Sequence, residues 1–148
     1  MTDITMDVRS LNTPDAAYIA GLIDGEGTIT LTRKHANENR QLVISISNTD
    51  KDLLEFTYKT IGAGKITRKR VTHLHHTPSF TYAIYNRQAL VLLEQVQPFL
   101  RTYKKYRAIL ILRDYVSLTP RNGKYTENLI QARKRFETAV LEIKPSQV

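Results

Sequence analysis

The chain has 148 residues, enough for one domain with a substantial core and short for two. It contains no cysteine, which excludes a disulfide framework and a cysteine-based zinc site and suits an intracellular setting, in an organelle or a prokaryotic cytoplasm. The net charge of +8 points to a polyanionic partner, and its source is localised: residues 1–60 hold six Lys/Arg against nine Asp/Glu, residues 61–148 sixteen against five.

No stretch is long and apolar enough to cross a membrane, and no membrane partner is expected. Residues 1–12, MTDITMDVRSLN, lack the pattern of a signal peptide and read as a flexible segment leading into a single domain over 1–148.

Thr13 as N-cap, Pro14 in the first turn and Asp15 at the positive end predict a helix that starts near Pro14. Ala16, Ala17, Ala20 and Gly21 leave one side nearly bare, while Tyr18, Ile19, Leu22 and Ile23 cover the rest, the pattern of a helix buried all round. The bare side suits close approach by another helix, from the same chain or from a second one. The helix runs out through Asp24-Gly25-Glu26-Gly27, which sets two carboxylates where the macrodipole is negative. They are disfavoured there unless a cation or a set of donors compensates, and that points to a metal.

Thr28 to Thr32 and Leu42 to Ser47 alternate as a two-stranded hairpin around the polar stretch Lys34–Arg40. Ile29, Leu31, Leu42, Ile44 and Ile46 form one face. Thr28, Thr30, Thr32, Gln41, Ser45 and Ser47 form the other, interrupted only by Val43. Short hydroxyl and amide side chains on an exposed ribbon suit base-edge readout in a major groove, and Lys34 and Arg40 in the connection suit phosphate. A solvated sheet face would share this pattern.

Thr49-Asp50-Lys51-Asp52 resembles a capping box, opening a helix that stops at Gly62-Ala63-Gly64. A second strand pair follows, the basic stretch Lys65–Val71 and the aromatic Phe80–Tyr85. Lys65, Thr67 and Lys69 share one face, with Arg68 and Arg70 on the other or at a twisted edge, and this density of basic residues suits DNA. His73, His75 and His76 in the loop between have no Cys or acidic ligand nearby, so no metal site is expected there. Arg87–Gln97 reads as a helix closed by Pro98, with Leu90, Leu93 and Val96 inward. The next runs from Lys104 to Val116, with Ala108, Ile109, Leu112 and Val116 inward. After the turn Pro120-Arg121-Asn122-Gly123 a last helix spans about Thr126 to Ile143, with Arg133-Lys134-Arg135 outside.

The nine residues Ile19-Ala20-Gly21-Leu22-Ile23-Asp24-Gly25-Glu26-Gly27 resemble the signature of the LAGLIDADG homing endonucleases, with Ile for Leu first, Gly25 for Ala, and Glu26 for the more usual Asp. Gln97-Pro98-Phe99-Leu100 and the basic residues after it also resemble the single-motif branch of that family. The resemblance implies an α+β fold of order αββαββα, with a curved antiparallel four-stranded sheet and extra C-terminal helices. It implies a homodimer whose motif helices pack along the two-fold axis, with Ala16, Ala17, Ala20, Gly21 and Asp24 at the seam and a near-palindromic double-stranded DNA target. It further implies hydrolysis of one phosphodiester in each strand with Mg²⁺, or Mn²⁺ or Ca²⁺ as substitutes, held by Glu26 and the Gly25 carbonyl. Asp24 takes a structural role. Where the family has Gln or Asn at the end of the second strand to position solvent, the resemblance points to Asp50. The family's active-site lysine falls at Tyr103, so Lys104 or Lys105 is expected to serve, Lys104 ahead of Lys105.

Two other functions suit the same fold: an RNA maturase that assists intron splicing, and a DNA-binding protein that has lost cleavage. A structural RNA-binding domain outside the family explains the charge but not the acid pair.

Overall fold

Two alternating hairpins build one antiparallel sheet, and the helices cover a single face of it. The computed structural model describes residues 7–69 and 77–146. In chain order its elements are α1 (Thr13–Glu26), β1 (Gly27–Thr32), β2 (Gln41–Asn48), α2 (Lys51–Ile61), β3 (Lys65–Arg68), β4 (Phe80–Tyr85), α3 (Asn86–Val96), a 3₁₀ turn (Gln97–Phe99), α4 (Lys104–Asp114) and α5 (Glu127–Glu142). The strands lie in the order β1-β2-β4-β3. This is the expected α+β arrangement, αββαββα with two further helices.

Strand alternation divides the sheet into two faces. Ile29, Leu31, Leu42, Ile44, Ile46, Tyr82 and Ile84 are buried beneath the helices with Ile19, Ala20 and Ile23 of α1, Leu54 and Ile61 of α2, and Leu90, Leu93 and Val96 of α3. Each such aliphatic side chain contributes roughly 1.5–3 kcal/mol by leaving water. The register, Gly27 opposite Ile46 and Thr32 opposite Gln41, leaves the hydroxyl residues on the open face.

Several local expectations are corrected. The N-cap of α1 is Asn12, whose Oδ1 accepts from Asp15 N at 2.8 Å, and Thr13 is already helical. Residues 7–12, expected to be flexible, are pinned: Arg9 N donates to Ile61 O at 2.8 Å, and Gln95 binds Leu11 N through Oε1 and Arg9 O through Nε2. Asp50, not Thr49, caps α2 by accepting from Asp52 N and Leu53 N. At the other end of α2 the backbone turns left-handed at Gly62, φ 86°, where a side chain would be strained. In α4 the inward face is Lys104, Arg107, Ala108, Ile111 and Tyr115, whereas Ile109 and Val116 are exposed. Arg133 is 1% exposed, not outside.

In this face α4 obeys hydrogen bonding, not hydrophobicity. Arg107 donates from Nη1 to Ile29 O at 3.0 Å and from Nε to Ile143 O at 2.8 Å, joining β1 to the end of α5. Buried carbonyls need partners, and this long side chain reaches them.

The buried Tyr82 hydroxyl donates to Ala63 O at 2.6 Å, and burial pushes its phenol well above the ordinary value. An unfolded chain ionises this group first, near pH 10, so its stabilisation is complete below that pH and is lost as pH rises further. Tyr82→Phe is expected to cost about 1–2 kcal/mol at neutral pH and to flatten the loss of stability above about pH 10. Urea melts at both pH values check this.

Candidate functional site

The motif helix ends at the first strand, and the junction is too tight for any side chain at Gly27. A Cβ there would lie 2.8 Å from Ile23 Cα and 2.9 Å from Ser45 O. The helix therefore delivers Asp24 and Glu26 to one place beside the start of β1.

The two acids have different surroundings. Asp24 Oδ2 accepts from Arg101 N at 2.9 Å, and its Oδ1 accepts from Thr102 N at 3.3 Å and Thr102 Oγ1 at 2.6 Å. Both of its oxygens are thus committed to the approach into α4. The Glu26 side chain is exposed and makes no hydrogen bond or ion pair with the described residues.

Lys104 supplies the cation that the helix end requires. Its Nζ donates to Ile23 O at 2.8 Å and Asp24 O at 2.9 Å, at the negative end of α1. The residue is only 7% exposed. Burial lowers its pKa, the neighbouring Asp24 charge opposes that shift, and Arg107 adds to it. Lys105 lies apart from this cluster, with Nζ on Gln97 O at 3.1 Å and Pro98 O at 3.3 Å. The structure thus brings Lys104 to the acidic helix end and turns Lys105 toward the 3₁₀ turn.

Asp50 is exposed and serves as the cap of α2. Strand β2 ends two residues earlier, at Asn48, whose Oδ1 accepts from Asp50 N at 2.8 Å. An Asn therefore does stand at the end of the second strand, two places before the residue singled out from sequence. The signal was present in the alternation of β2, had it been carried through Ser47 to Asn48.

The expected seam of small residues also divides. Ala16 and Ala20 are buried in the core of their own chain, and Asp24 is held by the entrance to α4. Ala17, Gly21 and Gly25 are exposed along one stripe with Pro14. A Cβ added at Gly21 or Gly25 would meet nothing within 4 Å, so packing within the chain does not demand glycine at either place.

On the open sheet face stand Thr28, Thr30, Thr32, Gln41, Ser45 and Ser47, joined by Thr81 and Tyr85 from β4, which the sequence reading passed over. Ser47 Oγ and Thr81 Oγ1 share a hydrogen bond of 2.9 Å across the strands. Lys65 and Thr67 share this face, and the Lys65 ammonium lies 5.8 Å from the Tyr85 ring centroid. Lys69, just past β3, and Lys34, in the β1–β2 connection, are exposed. Arg68, opposite Phe80, has the other parity and lines a groove with Lys51 and Lys59. Arg40 turns inward: its Nη1 donates to Leu31 O at 3.4 Å and its Nε lies 3.9 Å from Glu137 Oε1. Arg70, His73, His75 and His76 lie outside the described residues.

A half-buried sheet with an open hydroxyl-rich face, and a motif helix that projects one uncommitted acid at its end, define a protein of the LAGLIDADG type. The chain belongs to the LAGLIDADG endonuclease family, whose model matches residues 19–126. Its fold is similar to that of the homing endonuclease I-CvuI, solved in complex with its target in the presence of Ca, at TM-score 0.72 and 16% identity over 92% of this chain and 87% of that one. The archaeal intron-encoded homing endonuclease I-Vdi141I, complexed with DNA, is similar at TM-score 0.66 and 18% identity over 90% of this chain and 86% of that one. The LAGLIDADG meganuclease I-AabMI, bound to uncleaved DNA, is similar at TM-score 0.60 and 17% identity over 90% of this chain and 46% of that one. No curated protein sequence matches the chain.

Lys104→Met keeps the length of the stem and removes the charge from the end of α1. It is expected to destabilise the fold by about 2 kcal/mol, since hydrogen bonds to a charged group are lost at a buried helix end. A urea midpoint unchanged from wild type would show that the ammonium does not hold α1.

Proposed function

We propose that this protein is a divalent-metal-dependent homing endonuclease that acts as a homodimer and cuts both strands of a long, near-palindromic DNA duplex. The observation that carries the reading is the state of Glu26, an exposed carboxylate without a protein partner at the end of a helix whose exposed stripe is Pro14, Ala17, Gly21 and Gly25.

Two copies packed along that stripe would bring their Glu26 side chains together at the two-fold axis. Among the described residues no three His, Cys, Asp or Glu side chains form a metal-binding group within one chain, so a carboxylate centre draws on the second copy. Hard carboxylate and carbonyl oxygens suit Mg²⁺, and Glu26 with the Gly25 carbonyl from each chain would hold it. When bound, the ion supplies activation of water and stabilisation of the leaving oxygen. The Asn48 amide, at the end of β2, would orient solvent at this end of the sheet, and Lys104 keeps α1 in position behind Glu26. The open face of the sheet then lies along the duplex, with Thr, Ser and Gln side chains toward base edges and Lys34, Lys65 and Lys69 toward phosphates. The half-length match to I-AabMI, beside the near-full match to I-CvuI, supports a chain that supplies one half of a two-fold assembly.

Glu26→Gln preserves size and removes the ligand charge. With Mg²⁺ and a duplex obtained by selection, this variant is expected to lose cutting by at least about a hundredfold while binding within a few-fold of wild type. Undiminished cutting overturns the assignment of Glu26.

Gly21→Leu tests the assembly. The added side chain enters open space in the single chain, so folding is expected to persist while the sedimenting species falls from dimer to monomer. A wild-type monomer that still makes double-strand breaks at micromolar protein overturns the two-fold reading.

A further inference from the structure

Strand β2 is longer than its neighbour. Strand β4 ends at Tyr85, opposite Val43, while β2 continues to Gln41 with no strand beside it on that edge. The backbone groups left over there are satisfied by side chains from the C-terminal helices. Leu42 N donates to Tyr115 Oη at 3.4 Å, Arg40 N donates to Glu137 Oε2 at 3.1 Å, and Arg40 O accepts from Arg133 Nη2 at 2.6 Å.

These partners form one network. Arg133 Nε donates to Glu137 Oε2 at 2.9 Å, and Arg133 Nη1 donates to Leu118 O at 3.0 Å and to Thr119 Oγ1. The guanidinium lies 4.8 Å from the Tyr115 ring centroid, and Tyr115 Oη donates in turn to Asn86 Oδ1 at 3.0 Å. Burying such a pair is costly, and its mutual attraction alone is no gain over apolar residues of similar volume. What apolar residues could not supply is partners for the backbone of Arg40. Helix α5 also lies beyond residues 19–126, the span that matches the family model.

We propose that Arg133 and Glu137 are positioning residues for DNA discrimination. They fix the outer end of the β1–β2 ribbon, where Arg40 leads into β2 beside the Thr32–Gln41 pair, and so the place at which that end meets the duplex. The inference rests on the reading of the ribbon as a DNA-contacting surface. Six residues of β1 at about 3.3 Å each carry Thr32 roughly 20 Å from Glu26, about six base-pair steps from the cutting centre. With the inner end locked at Gly27, a ribbon released at Arg40 moves most at its outer end, so base pairs at the outer ends of the site lose discrimination while those near the centre do not.

The test compares wild type, Arg133→Met/Glu137→Leu and Tyr115→Phe by selection from a randomised duplex library, with amide exchange followed by NMR in the free proteins. The double variant removes both charges at similar volume but leaves the backbone of Arg40 without its partners, so its urea midpoint is expected to fall modestly. Its preference at the outer positions is expected to fall roughly tenfold, with the central positions unchanged. Exchange at Arg40 N and Leu42 N should rise by about tenfold or more as this end of the ribbon opens. Tyr115→Phe removes the Leu42 partner and the bond to Asn86 while Arg133 and Glu137 stay in place, and should show a smaller loss at the same outer positions, which keeps the test open if the double variant does not fold. A profile unchanged, or weakened evenly across the site, overturns the inference. A wild-type protein that selects no sequence overturns instead the DNA-contacting reading beneath it, and the exchange data still report on the anchor at Arg40.

Discussion

The reciprocal clamp between the end of α1 and the start of α4 is the constraint on which the rest of the site depends. Asp24, in the last turn of α1, accepts the backbone N–H groups of Arg101 and Thr102 just before α4, and Lys104, in the first turn of α4, donates to the last carbonyls of α1. Each helix end supplies the charge that the other's dipole favours. The exchange joins segments about eighty residues apart and leaves the Glu26 carboxylate at the junction without a partner among the described residues. Asp24 and Glu26 are two residues apart and chemically alike, yet the clamp spends one and frees the other.

The same division of labour runs through the motif's glycines. Gly27 is demanded by the chain's own packing, because Ile23 and Ser45 crowd the space where a Cβ would be. Gly21 and Gly25 face open space and are free of any such demand. A glycine in a helix interior costs roughly 0.5–1 kcal/mol relative to alanine, and packing within the chain does not account for that cost at Gly21. That is a physical argument for a close neighbour on this stripe, independent of any likeness to other proteins.

Much of the fold was legible because it follows from periodicity: the alternation of Ile29, Leu31, Leu42, Ile44 and Ile46 fixed the buried face, and Gly62 marked the end of α2. What failed to read correctly shares one cause. In α4 the apolar stripe suggested Ile109 and Val116 as inward residues, but the buried side carries Lys104 and Arg107, and in α5 the basic run hid a buried Arg133. Hydrophobicity patterns register the cost of burying a charge and are blind to a carbonyl elsewhere in the chain that needs a donor. The distant carbonyls that these three residues reach, those of Ile23 and Asp24, Ile29, and Arg40, lie about eighty to ninety residues away, beyond any local pattern. The same blindness turned a flexible lead-in into a pinned segment, since the hold on Leu11 is a glutamine in α3. It also concealed the metal argument's weak point: the anomaly at the end of α1 is met half by a lysine from α4, and only Glu26 remains for a cation.

The buried basic residues also separate two tasks within one sheet. Lys104 and Arg107 fix the end of the ribbon that starts beside Glu26, and Arg133 fixes the end that leads to the tip. The first pair hangs from α4, the second anchor from α5, and the two meet through Arg107, which also holds the carbonyl of Ile143 at the end of α5. Chemistry and reach are thereby supported by different helices on a common base. A substitution in α5 can re-aim the outer part of the ribbon while Gly27, locked between Ile23 and Ser45, keeps the inner end still. On the proposed reading, this partition lets the outer part of the ribbon move without disturbing the acid at its inner end.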